Sequence, residues 1–125
     1  MRATSAKNMS MDCIFCGIAA GEIPAKIVAQ TANVVAFKDI NPQAPLHVQV
    51  IPIRHIVDAA HLGPDDASVL AEMTAVAKHV AEEAGFDPES RGYRLVMNVG
   101  PDSLSTVPHL HLHVLAGRSM TWPPG

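Results

Sequence analysis

The segment His109-Leu110-His111-Leu112-His113 constrains this chain more than any other stretch. Strand side chains alternate between faces, so residues two apart share one. As a strand, the segment sets His109, His111 and His113 in one row and turns Leu110, Leu112 and Val114 toward a core. As a helix, it would scatter the imidazoles around a cylinder. Pro108 disfavours helix for the residue before it, and Val114-Leu115 prolong the apolar run. Each buried imidazole needs a hydrogen-bond partner, and the group works near neutral pH as nucleophile, proton donor or metal ligand. A row of three therefore points to chemistry before it points to packing.

The rest of the chain supplies a scaffold for such a strand. Cys13 to Ala20 is a short apolar segment of one or two helical turns, stopped by Gly21 and Pro24. Lys26 to Gln30 and Val34 to Lys38 are β-type runs around Thr31-Ala32-Asn33, which reads as a hairpin. Asp39 to Pro45 is a proline-containing loop. In Leu46 to Pro52, the alternation places His47 and Gln49 on one face. Pro64 to Ala84 is the one strong helix, with Pro64, Asp65 and Asp66 suited to its first turn. Val69, Met73, Val76 and Val80 recur on it at helical spacing, and Gly85 is a C-terminal stop. Tyr93 to Val99 reads as a strand, Gly100 to Val107 as a polar loop. The order β-β-β-α-β-β with short links predicts the α+β class, an antiparallel sheet with a helix on one face.

Composition narrows the partners. A chain of 125 residues, 48% of them hydrophobic, fits one domain with an ordinary core. The formal charge of −3, from 9 Lys plus Arg and 12 Asp plus Glu, argues against a nucleic-acid polymer but leaves a single nucleotide open. No apolar run approaches the roughly 20 residues of a membrane span. Residues 1–11 hold no apolar core of a secretory signal and read as a disordered extension, with one domain over 12–125. The cytoplasm is the expected location, and structural disulfides are not expected there.

The residues leave three readings of the histidine row open: a metal site, nucleophilic catalysis by one imidazole flanked by proton donors, or structure alone. The loop before the row offers backbone N–H groups and the Ser103, Ser105 and Thr106 hydroxyls to an anion, or forms an ordinary turn. Asp39 could accept from ribose hydroxyls or serve as a turn residue. Cys13-Ile14-Phe15-Cys16 is a redox dithiol or half of a zinc site. The thioredoxin-like context is missing, and zinc needs two more ligands, for which His55, His61, His79 and the strand histidines are candidates.

These residues resemble the histidine triad (HIT) family, whose signature is H-φ-H-φ-H-φ-φ with φ apolar. Here it reads His109-Leu110-His111-Leu112-His113-Val114-Leu115. Residues 21–26, 37–45 and 50–52 with His55, together with Tyr93-Arg94 and Asn98, are similar as well. The tail 117–125, with Trp122-Pro123-Pro124-Gly125, is close to that of the nucleotide-binding branch. The resemblance implies a five-stranded antiparallel sheet with one long and one short N-terminal helix, and a homodimer. It implies a purine nucleotide ligand (AMP, GMP or a conjugate) and hydrolysis of nucleoside monophosphate phosphoramidates. His111 would be the nucleophile, with His109, His113 and His47 as its catalytic partners. Asp39 would hold the ribose. Ile14, Phe15, Ile18, Phe37 and Ile40 would line the base pocket, and Asn98, Ser105 and Thr106 would meet the phosphate or leaving group. It implies a structural zinc on Cys13, Cys16, His55 and His109, with no metal required for catalysis. Diadenosine polyphosphate hydrolysis, or a binding module with weak catalysis, are the alternatives. Two departures stand out. Ser103-Leu104-Ser105-Thr106 replaces the usual Gly-Gly-Gln-Ser, and Pro108 replaces an aromatic residue.

Overall fold

The computed structural model describes residues 13–125, so the expected N-terminal extension lies outside the described residues. A short helix α1 (Ile14–Ala19) precedes β1 (Ile27–Gln30), β2 (Val34–Lys38) and β3 (Leu46–Pro52). The long helix α2 (Ala67–Glu83) follows, then β4 (Arg94–Val96) and β5 (Leu112–Ala116). The five strands form one sheet in the order β1-β2-β3-β5-β4, every neighbouring pair antiparallel. The α+β architecture is the expected one.

Period-two alternation sorts the side chains into two layers. Val34, Ala36, Val48, Val50, Leu110, Leu112 and Val114 turn to one face, where Met73, Val76, Ala77, Val80 and Ala81 of α2 cover them. Val35, Phe37 and Ile51 turn to the other, against Cys13, Phe15, Cys16 and Ile18 of the α1 region. The histidine row shares this second face, so α1 is the lid under which the imidazoles sit.

Three boundaries differ from those expected. The long helix begins at Ala67, because Pro64–Asp66 forms a 3-10 turn closed by the Asp66 carboxylate, which accepts from the Gly63 N–H at 2.8 Å. The strand expected over 93–99 pairs only at Arg94, Leu95 and Val96, opposite Leu115, Val114 and His113. The histidine strand pairs only from Leu112 onward. The β3–β5 register would set Pro52 opposite Leu110, and proline has no N–H to give to a ladder. The Leu110 N–H bonds instead to the Ile56 carbonyl at 2.6 Å. His109, at the end of a bend, and His111 thus lie just outside the paired strand, still on the face that alternation assigns them.

The sheet is anchored to the loop before β3 at Gly117, directly after β5. Its φ is +100°, and a Cβ there would stand 2.7 Å from the Pro45 Cβ. Both the backbone conformation and the space require glycine. Gly117→Ala is expected to destabilise the fold by more than about 1 kcal/mol, read from urea denaturation midpoints at unchanged m.

Candidate active site

The end of β3 and the approach to β5 gather two clusters at opposite ends of the histidine row. The first comprises Cys13, Cys16, His55 and His109, whose ligand atoms all lie within 4.8 Å of one another. His109 Nδ1 stands 3.3 Å from Cys13 Sγ, 3.5 Å from Cys16 Sγ and 3.2 Å from His55 Nδ1. Cys16 Sγ is 3.2 Å from His55 Nδ1. A zinc tetrahedron with ordinary bond lengths needs about 3.3 Å between nitrogens and about 3.6 Å between nitrogen and sulfur. The spacing fits. The outer contact fits too: the His109 Nε2–H donates to the Pro52 carbonyl at 2.8 Å, leaving Nδ1 bare toward the thiols. His109 is 0% exposed. Burial holds its pKa down at about 4, and burial beside Cys13 pushes the Cys16 thiol up to about 12. A cation among these groups would take the place of the thiol protons.

The second cluster is built from His47, His113, Asp39 and His111. The Gln43 N–H donates to His47 Nδ1 at 3.0 Å, so in the neutral ring the proton sits on Nε2. That Nε2–H donates to His113 Nδ1 at 2.8 Å. His113 then carries its own proton on Nε2. His111 has the opposite arrangement. Its Nδ1–H donates to the His109 carbonyl at 2.7 Å, leaving a lone pair on Nε2. Adjacent rings therefore present a bare nitrogen and an N–H, with centroids 5.1 Å apart. Phe15 packs edge-on against His111 at 5.2 Å and fixes its plane. Burial lowers the pKa of His113 to about 4, helped by His111 and His47; burial also lowers that of His47, opposed by Asp39. Both rings are neutral at pH 7.

The structure brings together most of the residues named from the sequence. Phe15, Ile18 and Phe37 form a buried wall beside the row, whereas Ile14 is 57% exposed and Ile40 100% exposed at its margin. Asp39 lies at the end of the His47 cluster, its Oδ2 3.4 Å from His47 Nε2. Asn98 and Ser105 are half-buried and Thr106 is exposed on the loop leading to the row. Leu104, where the family pattern has glycine, adopts φ 65°. His61 and His79 are exposed and belong to neither cluster. Sequence reasoning missed the Gln43 N–H and the Pro52 carbonyl, which set the tautomers. Gln49 shares the His47 face as expected, and its role goes beyond that placement.

Comparison with known proteins agrees with this geometry. The HIT domain model matches residues 20–120. The chain belongs to the HIT family. It is 44% identical over 117 residues to an uncharacterized HIT-like protein of Synechocystis sp., covering 94% of this chain and 100% of the relative. A 14 kDa zinc-binding protein of Zea mays is 41% identical over 114 residues, covering 90% of this chain and 87% of that one. The crystal structure of a HIT family hydrolase from Legionella pneumophila superposes with a TM-score of 0.86 at 48% identity, over 90% of this chain and 99% of the other. As a HIT protein the chain has the fold of that hydrolase. Among the described residues no helix is long and apolar enough to cross a membrane.

Two outcomes follow from the clusters. Protein purified without added metal should carry about one zinc per chain by elemental analysis. Cys16→Ser or His55→Ala should lose it and lower the thermal midpoint by at least about 5 °C; a metal-free wild type with an unchanged midpoint would refute the assignment. The depressed pKa of His113 and His47 makes a second prediction. Below about pH 6.5 an unfolded imidazole binds a proton that folded His113 refuses until about pH 4, and folded His47 shifts in the same direction. Stability contributed by these rings is complete above pH 6.5 and is lost as pH falls toward 4. Denaturation midpoints at pH 7.5 and 5.0 should differ less in His113→Gln than in wild type.

Proposed function

We propose that this HIT protein is a nucleotide hydrolase of the nucleotide-binding branch, cleaving phosphoramidates of purine nucleoside 5′-monophosphates. The observation that carries the reading is the paired tautomer state of His111 and His113: in the neutral His111 ring a bare Nε2 stands next to the His113 Nε2–H. A neutral imidazole is a competent nucleophile toward phosphorus. The His111 Nε2–phosphorus bond forms, the phosphorus–nitrogen bond breaks, and its electron pair leaves with the amine, which takes up one proton. His113 Nε2–H is the donor at that face for the departing atom, and His47 holds His113 in register. Water then attacks the nucleotidyl-imidazole, the phosphorus–His111 bond breaks with its electron pair returning to Nε2, the proton from water restores His113, and a nucleoside monophosphate is released.

The remaining residues fit binding roles. Phe15, Ile18 and Phe37 offer an apolar wall to a base, with Ile14 and Ile40 exposed at its rim for a bound ring to cover. Asp39 takes ribose hydroxyls. Asn98, Ser105 and Thr106 meet phosphate oxygens or the leaving group. Zinc on Cys13, Cys16, His55 and His109 supplies a structural tie between α1 and the row, and the hydrolysis needs no added metal. The same reading makes the protein a cytoplasmic homodimer. Among the described residues the β4 edge, which carries the exposed Leu95, pairs with no further strand and offers an edge to a second copy.

His111→Ala should lower kcat for adenosine 5′-phosphoramidate hydrolysis by at least about 10,000-fold. His113→Gln should cost about 100- to 10,000-fold, the usual value of a positioned proton donor. Both are measured by release of AMP in metal-free buffer. Retained activity in His111→Ala would remove the nucleophile. AMP binding without turnover in the wild type would leave a binding module, and faster cleavage of diadenosine polyphosphates than of phosphoramidates would place the activity in another branch.

A further inference from the structure

Gln49 lies on β3 with its side chain on the site face, directly opposite Phe37 of β2 and His113 of β5. Its amide Nε2 donates to Asp39 Oδ2 at 2.7 Å. The other carboxylate oxygen, Oδ1, accepts the Asn41 N–H at 2.8 Å. A carboxylate only accepts, so the amide is locked with its NH2 toward Asp39 and its oxygen turned away. That oxygen, Oε1, is fully buried, and it alone among the buried side-chain nitrogen and oxygen atoms of the described residues has no partner. An orphaned buried acceptor costs stability, and an apolar side chain of the same shape would avoid the cost. The amide is worth keeping only for what its NH2 does.

The NH2 acts on Asp39 at a point of competition. Asp39 Oδ2 stands 3.4 Å from His47 Nε2, whose proton goes to His113 Nδ1 at 2.8 Å. With Oδ2 already bonded to Gln49, the carboxylate does not draw that proton away. Both its oxygens are also tied, so the group points in one direction. A carboxylate offers roughly four acceptor positions, and Asn41 and Gln49 use one on each oxygen, leaving one on each for a pair of adjacent hydroxyls.

We infer that Gln49 is a positioning residue for sugar specificity: by clamping Asp39, it makes the site select nucleotides with the vicinal 2′- and 3′-hydroxyls of ribose. The inference rests on the nucleotide reading above and assigns that selectivity to the Gln49–Asp39 pair. A Gln49 that merely supported the fold would lose stability on replacement. A Gln49 retained for the clamp gains or keeps stability and loses discrimination.

The experiment compares wild type, Gln49→Met, Asp39→Asn and the double variant. Calorimetry measures binding of AMP and of 2′,3′-dideoxy-AMP, and hydrolysis of the corresponding phosphoramidates is followed in parallel. Gln49→Met is expected to keep or raise the thermal midpoint and weaken AMP about tenfold. Dideoxy-AMP binding should stay unchanged, and the substitution should add nothing in the Asp39→Asn background. Gln49→Leu serves if the methionine variant does not fold. A lowered midpoint with an unchanged AMP to dideoxy-AMP ratio overturns the inference, as does full additivity with Asp39→Asn. A Gln49-dependent ratio without any turnover would sink the hydrolase reading and uphold the clamp. Turnover with an unaffected ratio would do the reverse, and a wild type that binds no AMP overturns both.

Discussion

The hydrogen bond from His109 Nε2–H to the Pro52 carbonyl is the contact on which the rest of the site depends. It arises where the β3–β5 ladder fails. Proline has no N–H to continue the pairing, and its carbonyl is left buried and in need of a donor. His109 supplies it, and the choice of nitrogen propagates in both directions. Toward α1, Nδ1 is left bare beside Cys13, Cys16 and His55. Toward β5, the His109 carbonyl takes the Nδ1–H of His111 and leaves its Nε2 bare. One residue therefore links a metal-type cluster to the imidazole proposed as nucleophile, and a shift of Pro52 would disturb both.

Burial decides the protonation of His109 and His113. A charged imidazole in this layer would have to give up water, and Asp39, which favours charge on His47 and His113, is already bonded to Gln49 and Asn41 and does not offset that loss. The like rings also oppose one another's charging: His111 and His47 both lower the pKa of His113. Packing the histidines together thus costs folding stability in acid and keeps His47 and His113 neutral at pH 7. Phe15 serves both ends of this arrangement, since its ring excludes water from His111 and stands edge-on to His109.

The alternation of β2 and β3 and the helical stripe of α2 were readable, because those patterns follow from strand and helix geometry alone. Cys13, Cys16, His47 and the histidine row were also named in advance. What was not readable depends on partners distant in the chain. Whether residues 109–111 join the ladder turns on Pro52 standing opposite Leu110, a consequence of register. The tautomer of His47 is set by the backbone N–H of Gln43, and that of His109 by a carbonyl 57 residues earlier. No local pattern encodes such bonds. The unpaired Oε1 of Gln49 is equally a tertiary fact, although the period-two alternation had put that side chain on the correct face.

Leu104 places an ordinary side chain at a left-handed backbone position. Its φ of 65° lies where the family pattern has glycine, and an ordinary side chain there costs about 1–2 kcal/mol. The turn is held by other bonds. The Ser103 hydroxyl donates to the Gly100 carbonyl at 2.8 Å, and the Leu104 N–H to that of Pro101 at 2.9 Å. These bonds hold Leu104 in a left-handed conformation that a glycine would adopt without strain. At 81% exposure the Leu104 side chain adds an apolar projection on the loop leading to the row, in a position where glycine would leave the backbone bare. The side chain thus stands on the segment that leads the chain into His109 and His111.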